Sequence, residues 1–330
     1  MTYKDAIFSP VEATNAGIQE LKNIEERAKN GDDGIRIPIA GLRDYFAPMM
    51  RGQYCTILGQ TSHGKSFLMQ QIMHGIAKDL SLHGRSNSAI IHVSTEDLIE
   101  EQMTEEIARE SKTDIRNLTS GKGVDWDKVF GTVNTLYSIP IYRIGDSLER
   151  QDIASNLYLR NIVGMIGDLR DGKVYTQKID IAAIFVDYLQ ALPYDPEIRG
   201  MQGEEKRRLQ VRNDVYEVRK LSKIAPVFLG AQAKQDLKGT MSNTMRTPGR
   251  YDGSETAAIG ERTDRMLTVD MPKNNFPVGS TQSYNGKMYV VEENLQFVKV
   301  EKQRGKLPAG KIFVNMLDYG DVTNSSMTEF

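Results

Sequence analysis

The stretch "GQTSHGKS", residues 59–66, follows the apolar run "YCTIL" at residues 54–58 and carries the strongest signal in the chain. Its eight residues fit the pattern G-x-x-x-x-G-K-[ST], in which a glycine-rich backbone wraps its N–H groups around phosphates. The stretch "KSFLMQQIMHGIAKDL", which starts at Lys65, has apolar residues at helical spacing. A strand, a glycine loop and a helix start in this order favour a phosphate-binding loop over an ordinary glycine turn.

The loop predicts roles for its own residues. Lys65 is expected to reach the β- and γ-phosphates of ATP as a catalytic cation, and the Ser66 hydroxyl is expected to bind Mg²⁺. ATP and Mg²⁺ are therefore the expected cofactors. The positions expected to surround the nucleotide are Gly59, Gln60, Thr61, Ser62, His63, Gly64, Lys65 and Ser66.

Two other apolar runs end in carboxylates. The run "IAAIFVD" ends at Asp187, and beside a phosphate-binding loop such a strand end favours a role in organising Mg²⁺ over a simple turn. The run "IIHVSTED" carries Glu96 and Asp97, and either carboxylate is a candidate to orient or deprotonate the attacking water. The same "STED" also suits a helix cap, and spacing alone does not separate these interpretations.

The order of apolar runs predicts the fold class. From Ile35 onward, strand-like runs alternate with amphipathic stretches, which indicates an α/β fold with a mostly parallel central sheet flanked by helices. Three later runs have short connections and suit antiparallel pairing at the C-terminal end of the sheet. They are "KMYVVEE", "LQFVKVEKQR" and "KIFVNMLDY".

The first 34 residues differ from the rest. They are polar, with a helical stretch at residues 15–30 whose apolar stripe is too narrow to form a domain alone. We therefore predict an N-terminal segment, residues 1–34, that packs on something else, and one ATPase domain over residues 35–330.

Composition limits the possible functions and the compartment. The chain has 330 residues and a formal net charge of −2, so no overall basic field indicates nucleic acid, and DNA binding must rest on local loops. The single cysteine, Cys55, lies in an apolar run and excludes a disulfide framework. No signal pattern and no long apolar run occurs, so we expect a reducing cytoplasm.

Taken in order, the motifs resemble the RecA-like motor domain of the DnaB family of replicative helicases. The resemblance covers residues 36–318, and "DYLQ" and "KQRG" in register with the phosphate-binding loop make it far more specific than the loop alone. The stretches that carry it include "GQTSHGKS" (59–66), "STE" (94–96), "FVDYLQAL" (185–192), "GAQAK" (230–234), "SETAAIGERTDR" (254–265) and "VEKQRG" (300–305).

The resemblance implies roles for individual residues. Glu96 falls at the family's catalytic glutamate, Asp187 at its metal-organising aspartate, and Gln232 at the glutamine that senses the γ-phosphate and links hydrolysis to the DNA loops. Lys302 and Arg304 match a pair that reaches into the nucleotide site of the neighbouring subunit. This implies a homo-hexameric ring on single-stranded DNA, whereas the alternative for the pair is a solvated strand edge that discourages aggregation.

The chain also departs from the family. Its first 34 residues leave no room for the helical collar domain that meets primase, so a primase partnership is in doubt, and residues 11–30 are expected to serve as a linker helix that docks on the next subunit. Ser254 replaces the arginine of the family's Arg-Glu pair in the DNA loop. The candidate contacts to DNA are Arg199, Lys234, Lys238, Arg246, Arg250, Ser254 and Glu255.

The sequence thus predicts an ATP-driven, ring-forming DNA helicase of DnaB type, in a bacterial, phage or plasmid setting. Two alternatives stay open. The first is a RecA-like ring ATPase with another function, such as a recombinase, a signalling ring or a defence component. The second is an adaptor that binds nucleotide without turnover.

Overall fold

The computed structural model describes residues 8–29, 34–82, 88–148, 154–175, 177–198, 202–234, 247–255, 257–284, 286–304, 309–317 and 326–330. The helices in these ranges are α1 Pro10–Lys29, α2 Leu42–Tyr45, α3 Lys65–Leu82, α4 Ile99–Glu110, α5 Ile115–Ser120, α6 Trp126–Leu136, α7 Leu159–Arg170, α8 Gly203–Ser222 and α9 Ala258–Arg262. The strands are β1 Tyr54–Gly59, β2 Ser88–Ser94, β3 Ile141–Ile144, β4 Asp180–Asp187, β5 Val227–Gln232, β6 Arg265–Asp270, β7 Thr281–Tyr284, β8 Lys287–Val290, β9 Leu295–Gln303, β10 Ile312–Met316 and β11 Met327–Glu329.

Across these described ranges, nine strands form the central sheet in the order β11-β10-β9-β6-β1-β5-β4-β2-β3. The six strands from β6 to β3 run parallel, and β9, β10 and β11 are antiparallel at one end. The predicted fold class is therefore confirmed.

The position predicted for one strand is wrong. The run "KMYVVEE" forms β8, but β8 pairs with β7 in a separate two-stranded hairpin. Most of its side chains are exposed, so it has no buried face to pack on the main sheet. The third antiparallel strand is instead β11, Met327–Glu329, which the sequence pattern does not predict.

The two faces of β1 pack against different helices. Tyr54 and Leu58 belong to the core cluster that contains the apolar residues of α7 and α8, and Cys55 and Ile57 belong to the cluster that contains those of α3. Successive side chains of a strand point to opposite faces, so a central strand covered by helices on both faces is buried throughout. Cys55 is fully buried as predicted, and burial raises the pKa of its thiol to about 12.

Strand register decides which residues meet at each edge of the sheet. Gly59 lies opposite Gln232, and Ser94 lies opposite Asp187, so the carboxyl ends of β1, β5, β2 and β4 share one edge. Strand β9 runs the other way. Its carboxyl end therefore lies at the opposite edge, where the parallel strands begin.

The helix predicted at residues 15–30 is present as α1 and begins earlier, at Pro10. A capping box explains the start: Ser9 N donates to Glu12 Oε2 at 2.7 Å, and Glu12 N donates to Ser9 Oγ at 3.3 Å. The apolar stripe of α1 is exposed at Val11, Ile18, Leu21 and Ile24. In the part of the chain that the structure describes, no helix has the length and apolar character needed to cross a membrane.

Candidate active site

The phosphate-binding loop connects β1 to α3, and two of its glycines are required sterically. A Cβ on Gly59 would lie 2.5 Å from Val269 Cγ2, which is closer than real contacts allow. Gly64 has a φ of +76°, in the left-handed region, and a Cβ there would lie 2.5 Å from Gln296 Nε2. The loop therefore tolerates no side chain at either position without moving.

Lys65 is buried at the start of α3, with 8% of its surface exposed. Its Nζ donates to Gln60 O at 3.0 Å and lies 5.7 Å from the centre of the Tyr188 ring. Burial lowers the pKa of Lys65, and the negative charges of Asp187 and Glu96 partly oppose that shift. A phosphate beside Nζ would favour the charged form in the same way.

Ser66 and Asp187 form the candidate metal site. Their side chains are hydrogen-bonded, and burial raises the pKa of Asp187 to about 6 against the opposing effects of Ser66 and Lys65. Asp187 Oδ1 is buried and has no hydrogen-bond partner among the described residues. A hydroxyl and a carboxylate oxygen are ligands that Mg²⁺ accepts together with substrate phosphates and water, so the pair fits this ion.

Glu96 and Asp97 follow the tip of β2 and are both exposed. Burial raises the pKa of each carboxyl group, with a further rise from Asp97 in the case of Glu96 and from Glu101 in the case of Asp97. Lys65 lowers the pKa of Glu96, whereas the charge that acts on Asp97 comes from α4. The geometry therefore favours Glu96 as the carboxylate that faces the phosphate-binding loop.

Gln232 joins the loop to the next segment of the chain. Its Nε2 donates to Thr61 Oγ1 at 2.7 Å. The Gln190 side chain accepts from Gln232 N at 3.0 Å and donates to Gln232 O at 3.3 Å, which holds the strand end from both sides. The Gln232 carbonyl also accepts from Ser254 N at 2.8 Å. A change at the nucleotide thus has a short bonded route to the 249–255 segment.

Three of the predicted DNA contacts lie beside this edge. Lys234 is exposed, and its backbone N donates to Asp252 O at 2.8 Å. Ser254 is bonded to Gln232, and Glu255, with a φ of 73°, lies 3.8 Å from Arg207. The predictions for Arg199, Lys238 and Arg246 fall outside the described residues.

Lys302 and Arg304 lie at the opposite edge. Lys302 Nζ donates to Gly260 O at 2.9 Å and Glu261 O at 3.0 Å, and Arg304 Nη1 pairs with Asp264 Oδ1 at 3.0 Å. The Arg304 side chain is 57% exposed. Burial lowers the pKa of Lys302 to about 8, helped by three nearby arginines and opposed by Asp264. The arginines are Arg250, Arg304 and Arg219.

Arg250 belongs with this second group. Its Nε donates at 3.1 Å to Gly260 O, the carbonyl that also accepts from Lys302. Arg250 N donates to Glu301 Oε1 at 3.2 Å. The DNA contact predicted for Arg250 stays a prediction, but its guanidinium is not beside Lys234.

The separation of the two groups follows from β1. Asp264 Oδ2 accepts from Tyr54 N at 3.0 Å, so the partner of Arg304 sits at the first residue of β1, whereas Gly59 is the last. Five steps of about 3.3 Å separate these ends by roughly 17 Å. Arg304 cannot reach the phosphate-binding loop of its own chain while this pairing holds.

The sequence did not reveal two contributors to the loop's geometry. His63 is buried and bonded away from the loop interior, since its Nδ1 accepts from Met271 N at 3.0 Å and lies 2.9 Å from Asp270 Oδ1. Gln296 of β9 donates to the loop carbonyls of His63 and Gly64, both at 3.0 Å. The only signal for Gln296 was a polar residue inside an apolar strand.

Comparison with solved structures defines the class of fold. No protein-family model and no curated protein sequence matches the chain. An isolated ATPase domain of a DnaB-like helicase matches with a TM-score of 0.68 and 14% identity over 93% of this chain and 97% of that one. A DnaB-like replicative helicase, solved in a study of its interactions with primase, matches with a TM-score of 0.66 and 14% identity over 93% of this chain and 66% of that longer one. A KaiC-like protein from Pyrococcus horikoshii matches at a TM-score of 0.49, with 12% identity over 90% of this chain and 98% of that one.

The chain therefore has a RecA-like ATPase fold. Within that class, its fold is that of the ATPase domains of DnaB-like helicases, which is the resemblance that the order of motifs predicted.

Proposed function

We propose that this protein hydrolyses ATP at the interfaces of a ring, as a helicase or translocase of DnaB type on single-stranded DNA. The observation that carries the proposal is the distribution of charge along β1. The phosphate-binding loop with Asp187 and Glu96 lies at one end of the strand, and Lys302 and Arg304 lie at the other. A site divided in this way is complete only when two chains meet.

At the loop end, each side chain has a defined chemical task. Lys65 and the loop N–H groups hold the β- and γ-phosphates in line with the attacking water. Glu96 accepts a proton from that water as the new P–O bond forms and the bond to the β-phosphate oxygen breaks, which releases ADP and phosphate. Mg²⁺, held by Ser66 and oriented by Asp187, supplies charge neutralisation on the phosphates when it is bound.

At the other end, Lys302 and Arg304 serve the neighbouring chain. A cation supplied in trans stabilises charge on the transferring phosphoryl group and is worth about 10³–10⁵ in rate. The Arg304 side chain is more than half exposed and is held through its pair with Asp264, so it is available at an interface. An exposed ion pair of this kind is worth little in stability, and exchanging the carboxylate for a phosphate costs little.

The DNA-binding proposal rests on the connection through Gln232. Its side chain bonds to Thr61 in the loop, and its carbonyl bonds to Ser254. The γ-phosphate thereby biases the segment that carries the predicted DNA contacts. Six copies of a modestly charged loop converging on one strand are compatible with a net charge of −2 per chain.

Helix α1 is the element that we propose to hold the ring together. Its apolar side chains Ile18, Leu21 and Ile24 are 45%, 66% and 46% exposed, which is unusual for an amphipathic helix that packs on its own domain. Docking on the next chain would bury this stripe. Residues 1–34 would then be a docking segment, separate from the ATPase domain at 35–330.

The proposal is tested by imaging the purified protein with a non-hydrolysable ATP analogue and with or without single-stranded DNA. We expect closed rings with density for a strand in the channel, and a DNA-stimulated ATPase that displaces a paired strand. Rings that hydrolyse ATP without binding DNA would favour a RecA-like ATPase of another function. The presence of Ser254 where the family has an arginine is the observation that favours that second candidate.

A further inference from the structure

Gln296 is a polar residue in an unusual place. It is the second residue of β9, between Leu295 and Phe297, and its exposed surface is 0%. Burying an amide without hydrogen bonds costs free energy, so a buried glutamine is stable only where its donor and acceptor are both used.

Both ends of the Gln296 amide are used. Its Nε2 lies 3.0 Å from His63 O and 3.0 Å from Gly64 O. Its Oε1 accepts from Asn315 Nδ2 at 3.0 Å, and the same Asn315 nitrogen donates to Gln71 Oε1 at 3.0 Å. Asn315 and Gln71 are themselves 0% and 1% exposed. A buried chain of amides thus connects β10 and α3 to the phosphate-binding loop.

The loop carbonyls control where the loop N–H groups point. In a trans peptide the C=O and the following N–H point in opposite directions. When Gln296 holds the carbonyls of His63 and Gly64, the N–H groups of Gly64 and Lys65 are turned to the other side. Asn274 Nδ2 donates to Ser62 O at 2.9 Å and acts in the same way on the next peptide.

We propose that Gln296 is a positioning residue for phosphate binding, because it holds the carbonyls of the loop outward so that consecutive N–H groups face the phosphates. The inference rests on the proposed nucleotide site but not on ring formation or DNA. Preorganised N–H groups bind an anion without first reorienting, so the loss of Gln296 lowers affinity for the phosphates more than it affects the chemistry that follows.

The test is the affinity of Gln296→Leu for ADP, measured by calorimetry with Mg²⁺ present, with Gln296→Met as a second variant of similar length. Val298→Ala is the matched control, because Val298 lies on the same face of the same strand, is equally buried and packs in the apolar cluster with α3. We expect ADP to bind about tenfold more weakly to the Gln296 variants, corresponding to about 1.4 kcal/mol. Val298→Ala should bind ADP within about twofold of wild type at a comparable loss of melting temperature.

A second measurement separates positioning from general damage. In steady-state hydrolysis, the Gln296 variants should show a raised KM and a kcat within about threefold of wild type, since saturating ATP refills the loop. Gln296 variants that bind ADP as tightly as Val298→Ala would overturn the inference and leave the proposed function standing. Wild-type protein that binds no ADP would instead refute the proposed function.

Discussion

Replacement of Lys65 by alanine should separate catalysis from folding. Lys65 is 8% exposed, and the acceptor of its Nζ is the Gln60 carbonyl at 3.0 Å. One lost hydrogen bond of this kind costs about 1 kcal/mol in unfolding free energy, and the relief of burying an ammonium group offsets part of it. We therefore expect the variant to fold, with a melting temperature within a few degrees of wild type.

The effect on turnover should be far larger. Removal of one preorganised donor to a developing negative charge typically costs about 10²–10³ in kcat. Because Lys65 is nearly buried, its charge is poorly screened by solvent, so we expect a loss at or above the upper end of that range.

The assay is steady-state phosphate release, with circular dichroism and thermal melting to verify the fold. Lys78→Ala is the matched control, since Lys78 is an exposed lysine on the same helix, α3, and should leave both measurements unchanged. A well-folded Lys65→Ala protein that hydrolyses ATP at the wild-type rate would refute the assignment of the phosphate-binding loop.

Three further predictions concern single residues at the two edges of the sheet. Glu96→Gln should bind ATP but release phosphate at least about a hundredfold more slowly; if Asp97→Asn has that effect instead, Asp97 is the base. Lys302 has a pKa lowered to about 8, chiefly by burial, so its cationic form is lost as the pH rises through that value; turnover should fall in the same range, and less so in Lys302→Arg, whose charge persists, whereas parallel pH profiles would exclude a role for the lysine charge. Lys234→Gln should lower the log–log salt slope of single-strand binding by roughly 0.7, and Arg250→Gln, at the other edge of the sheet, should not; an unchanged slope in Lys234→Gln would remove that residue from the DNA interface.

Local patterns were sufficient for much of the fold and for the loop. The spacing of Gly59, Gly64 and Lys65 requires a strand before the loop and a helix after it, and the apolar run before Asp187 has no stable alternative to a buried strand. The run at β8 was misplaced because "KMYV" carries the same alternation whether its neighbour is the main sheet or a short hairpin.

The remaining features depend on tertiary contacts that no local pattern encodes. Glu96 and Asp97 are adjacent in sequence, and only the position of Lys65 distinguishes them. Arg250 and Ser254 lie four residues apart, yet Arg250 bonds to Gly260 and Ser254 to Gln232. Such contacts follow from the path of the segment in three dimensions.

Mixing two inactive variants shows whether Arg304 completes the site of a neighbouring chain, on which the proposed function depends. Arg304→Ala retains its phosphate-binding loop and lacks the finger, whereas Lys65→Ala retains the finger and lacks the lysine. Each should be nearly inactive alone. When labelled chains verify that the two variants share rings, some interfaces join an intact Lys65 to an intact Arg304, and we expect ATPase activity to return in part. Activity no higher than the sum of the separate variants in verified mixed rings would contradict a site shared between chains.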